Sequence, residues 1–257
     1  MRVLLRVEYN GSKYCGWQRQ KNGVSVQAVL AKAVFEVTGE PSVMHGSGRT
    51  DAGVHAIAQA VHFDTNTKIP LDKLPIALNA HLPNSVRVKS ARAVDQSFNA
   101  RFDALSKTYL YRLVCSPVTS PLREDLAAFV PKKPNVAEMR RAAAFFLGEH
   151  DFKCFQAAGG HVKTTVRTIF SFEIREEGDE VLFEVTGNGF LYNMVRIMVG
   201  TLYYVGIGKL SADDMPAILS SRDRTRAGKT MPPEGLYLKE VRYAIDGEPL
   251  SEETSLG

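Results

Sequence analysis

Arg2-Val3-Leu4-Leu5-Arg6-Val7-Glu8-Tyr9 decides how the rest of the chain is read. Val3, Leu5, Val7 and Tyr9 alternate with mostly charged residues, the two-residue period of a strand with one buried face. A glycine-containing loop over residues 10–23 follows. Ser25 can then cap a helix whose apolar stripe is Val26, Val29, Leu30, Ala33, Val34 and Val37. Gly39 and Pro41 stop it. A short strand is expected around Val43, then a turn from Gly46 to Gly53, then a strand from about Ala56 to Phe63. Residues 71–82 read as a helix, and Val86 and Val88 open another strand. The order β-α-β-β-α-β is the split βαβ, or ferredoxin-like, pattern.

Working outward, the second half repeats this order without repeating the sequence. Tyr109, Tyr111 and Leu113 share one face of a strand over residues 107–115. A proline-rich loop (Pro117, Pro121, Pro131, Pro134) leads to a helix near Val136–Leu147. Strands are expected near Val166–Ile174 and Val181–Val185, then a very apolar helix from about Phe190 to Val205. A helix near Ser211–Ser220 and a strand near Leu236–Tyr243 close the unit. The expected fold class is α+β. Two ferredoxin-like, or RRM-like, subdomains, residues 1–104 and 105–257, would set their antiparallel sheets about a central active-site cleft.

With 257 residues, 44% hydrophobic and 23% charged, the chain can bury sizeable cores. A net charge of +4 permits an anionic partner without demanding one. The charged start rules against a signal peptide. The apolar stretch from Phe190 to Val205 is shorter than a membrane span and carries Arg196. The expectation is therefore a soluble, cytoplasmic protein. The three cysteines, Cys15, Cys115 and Cys154, are scattered and form no C-x-x-C, which speaks against a disulfide framework or a cysteine-rich zinc site.

Three constellations could carry chemistry. In Gly46-Ser47-Gly48-Arg49-Thr50-Asp51-Ala52-Gly53-Val54-His55-Ala56, glycines surround one carboxylate and one guanidinium. Glycine allows close backbone approach to a ligand, and Arg49 offers a forked donor for a phosphate or a base edge. The same composition also describes a plain connecting turn. Arg196 is the lone charge in an otherwise apolar helix, so it needs a partner, in a structural ion pair or in a site. Tyr109 and Tyr111 lie on one strand face, which either packs a core or stacks bases.

Other motifs fail. Ala227-Gly228-Lys229-Thr230 lacks the first glycine of a P-loop, since Asp223 stands there. No H-E-x-x-H, G-x-S-x-G or G-x-G-x-x-G motif occurs in the required context. What remains is an acid, two arginines and an aromatic, with neither a metal nor a cofactor signature.

These residues resemble a known family, that of the tRNA pseudouridine synthases A. The resemblance rests on Gly48-Arg49-Thr50-Asp51-Ala52-Gly53-Val54-His55-Ala56 and on Tyr14-Cys15-Gly16-Trp17-Gln18-Arg19-Gln20. It continues through Phe98-Asn99-Ala100-Arg101-Phe102 and Lys107-Thr108-Tyr109-Leu110-Tyr111. It ends with the Gly187–Arg196 run and Pro232-Pro233-Glu234-Gly235-Leu236-Tyr237-Leu238. It implies that Asp51 is the essential aspartate and that Tyr109 is similar to the tyrosine stacked on the target uracil. Arg196 is similar to the arginine paired with the aspartate, and Arg49 to the residue that fills the gap left by a flipped nucleotide. It further implies a cofactor-free homodimer acting on tRNA at uridines 38, 39 and 40 of the anticodon stem-loop.

Physical reasoning adds a constraint to that resemblance. Burial alone would raise the pKa of Asp51 and favour its neutral form, and an adjacent Arg196 would counter this. The two residues are far apart in sequence, so both halves of the chain are expected to contribute to one cleft. Two rivals are weighed against this reading. A non-catalytic pair of RRM-like units would want an RNP1-like run, which is missing. A glycoside-type hydrolase would want two acids, and only one sits in a motif.

Overall fold

The computed structural model describes residues 1–21, 23–160 and 162–245. Strand β1 (Arg2–Tyr9) is flanked on both sides and buries Leu4 as well as Val3, Leu5 and Val7. Helix α1 (Val26–Thr38) starts where Ser25 Oγ accepts from the Ala28 N–H at 3.2 Å. It ends at Gly39, whose φ of 72° suits a residue without a β-carbon. Two-residue strand β2 (His45–Gly46) pairs with β3 (His55–Asp64). Helix α2 (Leu74–His81) then leads into β4 (Val86–Val94). β1 runs antiparallel to both β3 and β4, with Val3 opposite Phe63 on one side and Ala93 on the other.

The second half opens on the long strand β5 (Ala104–Cys115), with short β6 (Ala128–Val130) parallel to its end. Helix α3 (Val136–Ala143) is capped by Asn135 and gives way to a single 3₁₀ turn. Strands β7 (Gly148–Asp151), β8 (Val166–Glu177) and β9 (Glu180–Gly187) follow as antiparallel neighbours, and β9 also pairs with β5. Helix α4 (Met194–Gly206) buries ten of its residues, so it reads apolar nearly all round. Gly200 gives passage to the crossing segment 228–231, since a β-carbon there would collide with the Lys229 carbonyl. Helix α5 (Met215–Ser221) follows, and β10 (Leu236–Tyr243) is the last strand among the described residues.

β10 determines the architecture. It lies between the halves, parallel to β3 (Leu238 opposite Ala56) and antiparallel to β5 (Leu238 opposite Tyr109). Among the described residues, ten strands therefore make one mixed sheet in the order β4-β1-β3-β10-β5-β9-β8-β7, with β2 beside β3 and β6 beside β5. The two sheets expected for the two halves run on into one another. The fold is mixed, with a large, mostly antiparallel sheet.

Other expectations need adjustment. Val43 is exposed and lies outside any strand; the pairing begins at His45. The apolar helix starts at Met194 rather than Phe190, because Asn193 before it takes a left-handed φ of 59°. The helix expected to reach Leu147 stops at Ala143. β6 and β7 were not anticipated. Sequence beyond residue 245 lies outside the described residues. Among those described, no helix is long and apolar enough to cross a membrane.

Candidate active site

The turn that carries Asp51 joins β2 to β3 and is braced from several sides. Ser47 Oγ donates to Gln59 Oε1 at 2.6 Å, and Gln59 Nε2 donates to the Gly48 carbonyl at 3.0 Å. Thr50 is tied through its hydroxyl to that of Tyr9 at 2.8 Å, and its carbonyl accepts from the Trp17 N–H at 3.0 Å. Gly46 is required because a β-carbon would sit 2.6 Å from the Trp17 ring.

His55 anchors the far end of this turn. Its Nδ1 accepts from the Gly11 N–H at 3.0 Å, which leaves Nε2–H to donate to the Glu234 carbonyl at 3.2 Å. Burial lowers its pKa and keeps it neutral. This ring fastens the N-terminal loop and the 233–235 turn to the segment bearing Asp51.

Asp51 faces a cleft of about 740 Å³ whose walls come from both halves of the chain. Arg196, in the first turn of α4, enters from the opposite side. Its Nε donates to the Met231 carbonyl at 2.6 Å and its Nη1 to Asn193 Oδ1 at 2.8 Å. Nη1 lies 4.0 Å from Asp51 Oδ2, with the aspartate side chain 35% exposed and the arginine 14%. The guanidinium is thus held by neutral oxygens and presents its charge to the carboxylate without a tight contact. Burial raises the pKa of Asp51 and Arg196 lowers it; burial prevails, and the net shift is upward. The expected pairing is present, but Arg196 attenuates the cost of burial rather than cancelling it.

Tyr109 and Tyr111 share a strand face yet differ in surroundings. Tyr111 is core: fully buried, its hydroxyl donates to the Pro232 carbonyl at 2.8 Å. Tyr109 lines the cleft, its ring edge-on to Phe190 at 5.0 Å between centroids. Burial raises the pKa of its phenol, and the nearby Asp51 charge adds to the effect. Arg49 stands exposed at the cleft rim. Asp51, Tyr109, Arg196 and Arg49 all line or adjoin this one cleft, which places the four sequence candidates together.

Sequence reasoning passed over Lys107 and Phe190. Lys107 sits two residues before Tyr109 on β5, so it shares the cleft-facing side, and that spacing was the available signal. Its Nζ donates to the Ser47 carbonyl at 2.7 Å, behind the Asp51 turn. Burial lowers its pKa to about 8, helped by Arg101 and Arg167. Among the described residues, no three His, Cys, Asp or Glu side chains group in a way that could hold a metal ion.

Residues 6–103 and 142–244 match a protein family described as tRNA pseudouridine synthase. A tRNA pseudouridine synthase A of Thermoanaerobacter pseudethanolicus is 47% identical over 241 residues, 94% of this chain and 99% of the relative. That of Ruminiclostridium cellulolyticum is 47% identical over 243 residues, with the same coverage. Among solved structures, an archaeal box H/ACA sRNP Nop10-Cbf5 complex aligns with a TM-score of 0.35 at 12% identity. That alignment covers 78% of this chain and 42% of the other, too slight a likeness to bear on the fold.

Proposed function

Given that the chain belongs to the tRNA pseudouridine synthase family, enzymes that isomerise uridine to pseudouridine in tRNA, we propose that Asp51 is its catalytic carboxylate and that Arg196, Tyr109 and Arg49 bind the target nucleotide. The observation that carries this assignment is the 4.0 Å approach of Arg196 to the half-exposed Asp51 inside a cleft shared by both halves.

The reaction breaks the N1–C1′ bond, turns the uracil and joins C5 to C1′; C5 then loses its hydrogen as a proton and N1 takes one up, so the product is an isomer. A stacked uridine must first be flipped out, which costs a few kcal/mol. Tyr109, backed by Phe190, offers a face that replaces the lost stacking, worth about 1–3 kcal/mol per base. Arg49 at the rim fills the vacated space in the RNA. Asp51 acts as the anion, and Arg196 keeps that anion accessible despite burial. Sheltered walls retain the detached uracil until it re-bonds.

The substrate site is the anticodon stem-loop at uridines 38, 39 and 40, and the working form is a cytoplasmic homodimer. Phosphate contacts carry much of the RNA affinity, so binding weakens steeply with salt. The halves 1–104 and 105–257, the second described as far as residue 245, are read as two ferredoxin-like units. Supporting this are the strand orders β4-β1-β3-β2 and β10-β5-β9-β8, which place the corresponding strands of the two halves alike.

The deciding experiment treats anticodon stem-loops with purified Asp51→Asn and maps pseudouridine by the mass of its selective carbodiimide adduct, since the isomerisation itself leaves the mass unchanged. Expected are near-native RNA binding and no product. Wild-type protein that binds the RNA yet makes no pseudouridine would leave a binding module. Release of free uracil would indicate a hydrolase.

A further inference from the structure

One wall of the cleft holds a cluster that the isomerisation as described does not use. Lys107 Nζ has the Ser47 carbonyl as its hydrogen-bond acceptor, and among the described residues no carboxylate lies within ion-pairing distance of it. The charged groups acting on it, Arg101 and Arg167, are both positive. Arg167 Nη1 in turn donates to the backbone carbonyls of Thr164 and Val166. Like charges gathered in a partly desolvated place without a counter-charge are unfavourable, and an anion brought between them relieves the cost.

Arg101 leads from this cluster to an aromatic face. Its guanidinium lies 5.5 Å over the ring of Phe102, which is 76% exposed and lines the same cleft. The turn that presents the ring is tightly held. Asn99 Oδ1 accepts from the Arg101 N–H at 2.9 Å, and Asp103 Oδ2 accepts from the Asn99 N–H at 2.7 Å. Ala100 between them is pinned on both sides, its N–H to His62 Nδ1 at 3.1 Å and its carbonyl to the Tyr243 hydroxyl at 2.6 Å. An exposed phenyl ring fixed this firmly beside unpaired cations has the chemistry of a nucleotide platform: cations for a phosphodiester and a π-face for a base.

We propose that Lys107 and Arg101, with Arg167 behind them, bind a phosphodiester next to the flipped uridine, and that Phe102 stacks on the base of that neighbouring nucleotide. This subsite rests on the RNA-modifying reading above and extends it to a second nucleotide.

Lys107→Gln separates the two roles of the lysine, because the amide can still donate to the Ser47 carbonyl while the charge is gone. Binding of an anticodon stem-loop is measured across a salt series for wild type, Lys107→Gln and Lys107→Arg. The slope of log affinity against log salt should fall by about one phosphate's worth in Lys107→Gln and be kept in Lys107→Arg. A methylphosphonate walked along the loop should weaken wild-type binding about tenfold at one linkage beside the target, and weaken Lys107→Gln clearly less at that linkage, where only Arg101 still meets the phosphate. Phe102→Ala should weaken binding about tenfold, with Phe102→Trp restoring it. An unchanged salt slope, together with equal responses of wild type and Lys107→Gln to every methylphosphonate, would overturn the phosphate subsite. Equal affinity of Phe102→Ala and wild type would overturn the stacking face. Pseudouridine formation by the wild type is scored separately, so failure of the subsite and failure of the parent reading give different results.

Discussion

Asp51 Oδ2 and Arg196 Nη1 stand 4.0 Å apart although 145 positions separate them in sequence (196 − 51), and each is contributed by a different half of the fold. That distance is at the outer limit of an ion pair, so the arginine acts on the aspartate through its field.

This relationship makes a pH-dependent prediction. Burial already raises the pKa of Asp51, and Arg196 holds the rise down. Arg196→Met removes the restraint, so the acid limb of the kcat/KM profile should move to higher pH. The variant should lose more activity at pH 6 than at pH 8. Loss by the same factor at every pH would show that Arg196 does not tune Asp51.

Tyr109 is assigned a stacking role through its ring. Tyr109→Leu should lower kcat/KM by roughly 5- to 100-fold, and Tyr109→Phe should stay within about threefold of wild type. A Phe variant as impaired as the Leu variant would mean that the hydroxyl, close enough to feel the Asp51 charge, takes part directly.

Two glycines should respond differently to a methyl group. Gly16 has a φ of +102°, and a β-carbon there would lie 2.5 Å from the Thr50 carbonyl beside Asp51. Gly16→Ala should cost about 2–4 kcal/mol in urea unfolding and impair turnover with it. Gly39 has a φ of +72° with nothing within 4 Å of the position, so Gly39→Ala should cost only about 1–2 kcal/mol and leave kcat unchanged.

Stability should fall on mild acidification because of His62. Burial, together with the ring of His45 stacked at 4.7 Å, lowers its pKa to about 4. Between the ordinary histidine range near 6.5 and about 4, the unfolded chain takes up a proton that the folded one refuses. Stability present above that window is lost as pH drops through it. His62→Gln should flatten the dependence of the unfolding midpoint on pH, even if its stability at pH 7 is lower. An unchanged slope would assign the acid sensitivity to other groups.

Much of this molecule follows from local rules that a sequence displays. Ser25 and Gly39 bound the first helix by capping chemistry, and Val3 to Tyr9 alternate as a strand must. Distant pairing is a different matter. The strand at Leu236–Tyr243 is legible, but its place between β3 and β5 depends on partners that no local pattern names. Asn193 ends the apolar run as a helix because of a left-handed backbone that its sequence does not announce. At the site, the glycine-flanked Asp51 and the isolated charge of Arg196 stood out by composition, and the fold brings them to one cleft. Lys107 did not, since one lysine in a strand ordinarily lies in solvent. Tyr109 and Tyr111 could not be told apart until Pro232 was seen to occupy the hydroxyl of one and the cleft to border the other.

The central position of β10 also sets the timetable of assembly. Every other strand described is synthesised before residues 236–243, so until then a nascent polypeptide holds both walls of its cleft with no strand to join them. Translation order therefore withholds a working enzyme until residues 236–243 have been made and have emerged. Polypeptides abandoned earlier lack the joint needed to grip and alter an RNA.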